Sequence, residues 1–245
     1  MEKKLNSNHL KIIAIIAMTL DHATDLFYPS FPAQPIPIAL HIIGRLTAPI
    51  MWFFIAEGYH YTHNVKKYLL RLGIFAVISH FAYCFAFGLN YIPFKTGIFN
   101  QTSVMYPLFI AVLVLWLQDM DVRYKLVRNI LVFVLIWSTL PSNWSCIAVL
   151  AIVDIYRNRG DLKKQTFRMM LWVLMYATVS FFFVNKIYGI LDLFVILVYP
   201  VIKQYNGQRG NVTWLKWFFY IYYPAHLIVI GIARVVMYGN VNILF

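Results

Sequence analysis

Residues 38–58 read IALHIIGRLTAPIMWFFIAEG. A helix crossing the hydrocarbon core of a bilayer takes about 20 residues, and this stretch is long enough. Its apolar residues run continuously rather than alternately, which predicts a helix and not a barrel strand. Three ionisable groups interrupt it: His41, Arg45 and, at its end, Glu57. His41 and Arg45 stand four residues apart and so share one helix face. Pro49 has no backbone N–H, which frees a carbonyl one turn earlier and bends the helix. Charge on one face of an apolar helix marks a polar interior in a membrane bundle.

Similar apolar runs lie on both sides, at 9–28, 67–87, 105–118, 126–140, 144–156, 167–184, 187–202 and 215–237. The predicted fold is all-α, a polytopic transmembrane bundle of about nine helices forming a single integral-membrane domain over residues 1–245. The fourth, fifth and sixth runs are shorter than the lower limit of about 17 residues. Either their flanks extend them or one is re-entrant. Composition agrees with the class. The chain is 61% hydrophobic and 12% charged, against about 25% charged in soluble domains. Its mean hydropathy is +0.68. No internal repeat is visible, so a transporter built from inverted halves gains no support.

The basic residues alternate with the runs. One side collects Lys3, Lys4 and Lys11, then Lys66, Lys67 and Arg71, then Arg123, Lys125 and Arg128. The same side collects Arg157, Arg159, Lys163, Lys164 and Arg168, then Lys203, Arg209 and Lys216. The other side holds only Lys95 and Lys186. Basic loops stay in the cytoplasm, so the N-terminus is expected inside and the C-terminus outside. The net charge of +12 is thereby explained without nucleic acid, which is not expected as a partner. Lys3 and Lys4 before an apolar run resemble a signal peptide, but Asp21 and His22 interrupt that run and no cleavage site follows. An uncleaved first helix is expected. Cys84 and Cys146 have no redox or metal spacing and read as small buried hydrophobes.

Ionisable groups in a membrane cost about 2.5–3.5 kcal/mol each and mark a pathway, a site or a pairing. Asp21 and His22 are adjacent on the first helix, point about 100° apart and must find partners elsewhere. Arg45 is a plausible salt-bridge partner for Asp21, and equally an anion or oxyanion anchor. His80 follows Ser79 on the third helix, and His226 lies beside Pro224 on the last. Asp21, His22, Arg45, His80 and His226 are the candidate catalytic residues. Asp192 and Arg234 lie on the last two helices and are expected to pair with each other. At the inner edge, Glu57, His60, His63, Lys66, Lys67 and Arg71 form a basic, aromatic rim suited to the phosphates and adenine of a cofactor. No His-x3-His or Glu-x2-His pair sits on one span, so no metal is expected. No glycine-rich phosphate loop, serine elbow or Rossmann fingerprint is present.

The segment from Leu10 to His22 resembles the opening of the TraX family of conjugal-transfer proteins. So do Ile43-Gly44-Arg45-Leu46, the residues Pro49 and Phe53 to Gly58, and Lys67 to Leu72. The ending Lys216 to Leu227, with Tyr220-Ile221-Tyr222-Tyr223-Pro224-Ala225-His226, is also similar. The chain departs from the pattern at His80, where an acidic residue is expected, and at Asn143-Trp144-Ser145, where an Asp-Tyr-Gly-like turn is expected. The resemblance implies an integral-membrane acyltransferase of the F-pilin N-acetylase type in the bacterial cytoplasmic (inner) membrane, multi-pass. Acetyl-CoA would be the donor, docking at the Lys66–Arg71 rim. The acceptor, at the outer side, would be an amine such as a pilin-like N-terminus. A lipid or surface-glycan acceptor, and so O-acetylation, stays open. His22 or His226 would take the proton, Asp21 would orient one of them or hold Arg45, and Arg45 would stabilise the oxyanion. Two other classes bury similar residues: a proton-coupled transporter or channel, and a non-catalytic pilus or envelope assembly factor.

Overall fold

The structure, a computed structural model, describes residues 4–29, 32–95, 97–121, 123–210, 212 and 214–239. Lys3 lies outside them, as does the side chain of Lys216. The helices are α1 (Ser7–Phe27), α2 (Pro35–Gly44), α3 (Thr47–Tyr61), α4 (Val65–Phe87), α5 (Met105–Asp119) and α6 (Lys125–Ser138). There follow α7 (Ser145–Arg157), α8 (Leu162–Phe183), α9 (Lys186–Asp192), a 3-10 turn (Leu193–Leu197), α10 (Val198–Lys203) and α11 (Leu215–Tyr238). Each of the nine apolar runs is therefore helical, and two are divided. Among the described residues there is no strand, only the isolated bridges Leu5–Tyr205 and Thr102–Ser142.

Local chemistry sets the ends. Asn6 caps α1 by accepting from the His9 N–H at 3.0 Å. Asn64 caps α4 through the Lys67 N–H at 2.9 Å, and Asp161 caps α8 through the Lys164 N–H at 3.0 Å. Each satisfies an amide that a helix start leaves unpaired. Gly88 ends α4 at φ 66, a left-handed conformation that suits glycine. The break between α2 and α3 falls at Arg45–Leu46. Pro49 stands four residues after Arg45 and cannot donate to its carbonyl, so the helix restarts with proline in its first turn.

Among the described residues, four helical stretches are long and apolar enough to cross a membrane: Pro35–Tyr61, Val65–Phe87, Leu162–Phe183 and Trp217–Tyr238. The helix Met105–Asp119 is also apolar but shorter. On α4, Leu70, Ile74, Val77, Ile78 and Phe81 are all exposed, at helical spacing. A water-solvated helix turns such a stripe inward, whereas lipid solvates it. The chain is an all-helical membrane protein.

Packing forms two compact units, Met1–Phe54 with Asp154–Ile221 and Ile55–Val153 with Tyr222–Phe245. In the first, α9 lies against α8 at backbone distance. A Cβ on Gly189 would sit 2.6 Å from the Phe181 nitrogen and 2.7 Å from the Ala177 oxygen. Small residues admit such close helix approaches in membrane proteins. The α1 N-terminus is tied to the segment after α10, through Leu5 N–H to Gln204 O at 3.0 Å and Ser7 N–H to Gln208 O at 2.9 Å. In the second unit, Gly73 of α4 faces the Phe109 ring of α5, and Gly231 of α11 faces the Phe85 ring. Tyr59 donates to Asp119 at 2.6 Å, closing α3 onto α5.

Candidate functional site

Two helix pairs at i and i+4 build the polar centre of the first unit. Asp21 and Asp25 share a face of α1, while His41 and Arg45 share a face of α2 and its last turn. The two faces meet. His41 Nδ1 lies 2.8 Å from Asp21 Oδ1, and its Nε2 lies 3.8 Å from Asp25 Oδ1. Arg45 Nη2 is 3.5 Å from Asp21 Oδ1, and Nη1 donates to Asp192 Oδ1 at 3.0 Å. The guanidinium also lies over the Tyr188 ring, 4.9 Å from its centroid. Asp192 and Tyr188 both come from α9, which Gly189 seats against α8. Gly44 makes the α1–α2 approach possible, since a Cβ there would fall 2.5 Å from the Asp21 Cβ and Cγ.

The chemistry follows from donor and acceptor roles. Ionised Asp21 can only accept, so His41 Nδ1 carries the hydrogen and the lone pair of the neutral ring is on Nε2. A carboxylate that fixes an imidazole in this tautomer prepares the other nitrogen to take a proton. Arg45 sits beside the dyad as a permanent cation held by two carboxylates.

Of the residues singled out in the sequence, Asp21 and Arg45 come together as expected. His22 is the neighbour of Asp21 on α1, but the imidazole that receives the Asp21 carboxylate is His41. Asp192, matched to Arg234 in the sequence, accepts from Arg45 Nη1 at 3.0 Å within the first unit. Arg234 donates to the Phe85 carbonyl at 3.1 Å. That carbonyl is in the last turn of α4, where helix oxygens lack partners and cations are favoured.

The other candidates lie in the second unit. His80 is engaged at both nitrogens, by Thr102 Oγ1 at 2.9 Å and the Tyr91 carbonyl at 2.8 Å. The carbonyl can only accept, so Nε2 donates to it and Nδ1 accepts from the threonine. His80 thus clasps the 88–104 connection. His226 donates from Nδ1 to the Tyr222 carbonyl at 3.0 Å, and its ring stacks on Tyr222 at 5.4 Å. That bond fixes the tautomer with the lone pair on Nε2. In the rim, Glu57 is half-buried on α3, and His60 is exposed with its ring 4.9 Å from Tyr61. His63 is exposed in the turn before α4, Lys66 and Lys67 are exposed in the first turn of α4, and the Arg71 guanidinium lies 5.7 Å from the Tyr68 ring centroid. Among the described residues, no three His, Cys, Asp or Glu side chains are grouped to share a metal ion.

His41, Asp25, Tyr188 and Asp192 are site residues that the sequence did not single out as such. The available signal was the pair of i, i+4 spacings, Asp21–Asp25 and His41–Arg45, on consecutive helices.

Comparison with known proteins adds an independent finding. The family model described as TraX protein matches residues 6–234. A protein of Dichelobacter nodosus described as probable fimbrial assembly protein FimC, serogroup H1, is 30% identical over 234 residues, covering 92% of this chain and 94% of that one. No solved structure matches. The match runs through all the blocks from which the resemblance was read, and the chain belongs to the TraX family.

Proposed function

We propose that this protein is an integral-membrane acetyltransferase. It would pass an acetyl group from cytoplasmic acetyl-CoA to an acceptor at the outer side of a bacterial cytoplasmic membrane. A pilin-like N-terminal amine is the preferred acceptor, as the fimbrial description of the Dichelobacter relative supports. The observation that carries the reading is the Asp21–His41 pair at 2.8 Å with the Arg45 guanidinium beside it.

An amine attacks a thioester only after losing its proton. His41 Nε2 takes that proton, and Asp21 stabilises the imidazolium that results. The amine nitrogen bonds to the acetyl carbonyl carbon, whose oxygen gains negative charge next to Arg45. An aligned donor at such an oxyanion lowers the barrier by roughly 3–4 kcal/mol. Collapse breaks the carbon–sulfur bond and releases CoA as a thiolate, which takes the second proton from the attacking nitrogen to leave a neutral amide and CoA thiol, while His41 passes the first proton to solvent. Asp21 is a positioning residue, whereas His41 touches the reacting nitrogen. His41 is preferred to His22 and His226, the alternative bases, because its Nδ1 lies 2.8 Å from Asp21 Oδ1. Lys66, Lys67 and Arg71 supply cations for the CoA phosphates, with the rim residues Glu57, His60 and His63 around them.

A second reading, a non-catalytic assembly factor, is favoured by the relative's description alone. Purified full-length protein in lipid nanodiscs, given labelled acetyl-CoA and a membrane peptide with a free N-terminus, separates the two. Transferase chemistry predicts acetyl-peptide that disappears in His41→Gln and Asp21→Asn. Absence of CoA binding, hydrolysis and acetyl product from the wild type overturns the enzyme reading in favour of assembly.

A further inference from the structure

The turn between α7 and α8 collects more cations than any other connection in the chain. Arg157, Arg159, Lys163, Lys164 and Arg168 fall within residues 157–168, and Asp161 is the one carboxylate among them. All five basic residues are exposed. One oxygen of Asp161 is committed to the Lys164 N–H at 3.0 Å, as the cap of α8. The cations also stand at the end of the helix least suited to them. A helix start carries partial positive charge and favours acidic side chains. The first turn of α8 holds none, and Lys163 and Lys164 occupy it instead. An anion beside this turn would be attracted by the side chains and by the helix start together.

The charge continues into an apolar face. At about 100° per residue, Lys164, Arg168, Leu171, Met175 and Phe182 lie along one side of α8. Every one of them is exposed, and Phe167, beside Arg168, is 62% exposed. The opposite side, with Gln165, Met169, Val173, Tyr176 and Ser180, is buried. From Arg168 to Phe182 the stripe runs about 21 Å, at about 1.5 Å per residue. One leaflet contributes about half of a hydrocarbon core of about 30 Å. The stripe is therefore long enough to lie along a whole acyl chain, with two cations at its head.

We propose that this face of α8 is a binding site for an anionic phospholipid, whose phosphate lies against Lys164 and Arg168 and whose chain lies along Leu171 and Met175. A zwitterionic lipid brings its own cation to the same place and loses the advantage of charge. A free phosphate gains nothing from the apolar stripe. The site needs no acyl transfer, so it stands independently of the enzyme reading.

The test uses full-length protein in dodecyl maltoside micelles, with bound lipid counted by native mass spectrometry. The probes are dioleoylphosphatidylglycerol, dioleoylphosphatidylcholine, dihexanoylphosphatidylglycerol and inorganic phosphate. The wild type is expected to bind the dioleoyl glycerol lipid at least tenfold more tightly than the choline lipid or the short-chain lipid. Each Lys or Arg near an anionic headgroup is worth about fivefold in affinity, so Lys164→Gln with Arg168→Gln should lose roughly twentyfold. Lys164→Arg with Arg168→Lys keeps both charges and should bind as the wild type does, which separates loss of charge from misfolding. Arg123→Gln with Lys125→Gln removes the same charge from the exposed start of α6, in the second unit, and should leave binding unchanged. Equal affinity for the glycerol and choline lipids, or equal loss in the two glutamine variants, overturns the assignment. So does a loss in the charge-preserving variant as large as in the glutamine one. Short-chain binding as tight as dioleoyl binding, or displacement of the lipid by equimolar phosphate, reduces the site to one for a free anion and overturns it as well.

Discussion

Arg45→Met is the most demanding perturbation of the centre. Methionine preserves the length of the stem and removes the charge. Asp192, fully buried and bound to Arg45 Nη1 at 3.0 Å, would lose its cation, and Asp21 would keep its contact with His41. Removing one partner of a buried ion pair costs about 3–5 kcal/mol, whereas removing both is close to neutral. Arg45→Met should therefore lose about 3–5 kcal/mol. Asp192→Leu should lose less, because Arg45 retains Asp21 at 3.5 Å. The double variant should recover roughly 2 kcal/mol or more relative to Arg45→Met alone, since no carboxylate is left buried without a cation on the α9 side. Reversible unfolding in mixed micelles, titrated with a denaturing detergent, gives all four corners of the cycle. Additivity within about 0.5 kcal/mol would refute the reasoning, because independent sites add and coupled ones do not.

Other outcomes follow from the same packing. Gly189→Ala places a methyl 2.6 Å from the Phe181 nitrogen, where backbone cannot yield, and overpacking should cost at least about 1–3 kcal/mol in the same unfolding assay. Gly44→Ala meets the Asp21 side chain instead, so the carboxylate should swing off His41. Acetyl transfer should fall at least about tenfold, the scale of a lost positioning contact. Gly73→Ala, which meets only a Phe109 ring atom at 3.4 Å, should leave transfer intact. His80→Ala should accelerate hydrogen exchange over 88–104 and cost about 1–2 kcal/mol while sparing transfer. Loss of transfer with unchanged exchange would return His80 to the chemistry.

The helices were legible because lipid forces long apolar runs to satisfy their own backbone, and all nine runs are helical. The break at Arg45–Leu46 was half-legible. Pro49 announces a missing hydrogen bond, but only the fold shows that the helix restarts rather than merely bends. The division of 187–202 into α9, a 3-10 turn and α10 had no such mark. In the site, Asp21 and Arg45 were found because they are charged groups on neighbouring helices. His41 was visible as a face-mate of Arg45, but hydropathy cannot tell which imidazole turns toward a given carboxylate. Asp192 was matched to Arg234 by closeness in the chain, while its true partner lies 147 residues away. That choice depends on helix packing at Gly189, which is a property of backbone distance and leaves little trace in residue type.

The spacing of the ion pairs has a consequence for how the chain is made. Asp21 and Arg45 are 24 residues apart and belong to consecutive helices. They can leave the ribosome, enter the translocation channel and pass into lipid together as a hairpin already half neutralised. Asp192 is synthesised 147 residues after Arg45. At about 5–20 residues per second, that is a delay of roughly 7–30 s. For this interval the hairpin must hold its guanidinium with Asp21 alone, so a substitution at Asp21 is expected to reduce the yield of inserted protein even where the finished molecule would tolerate it.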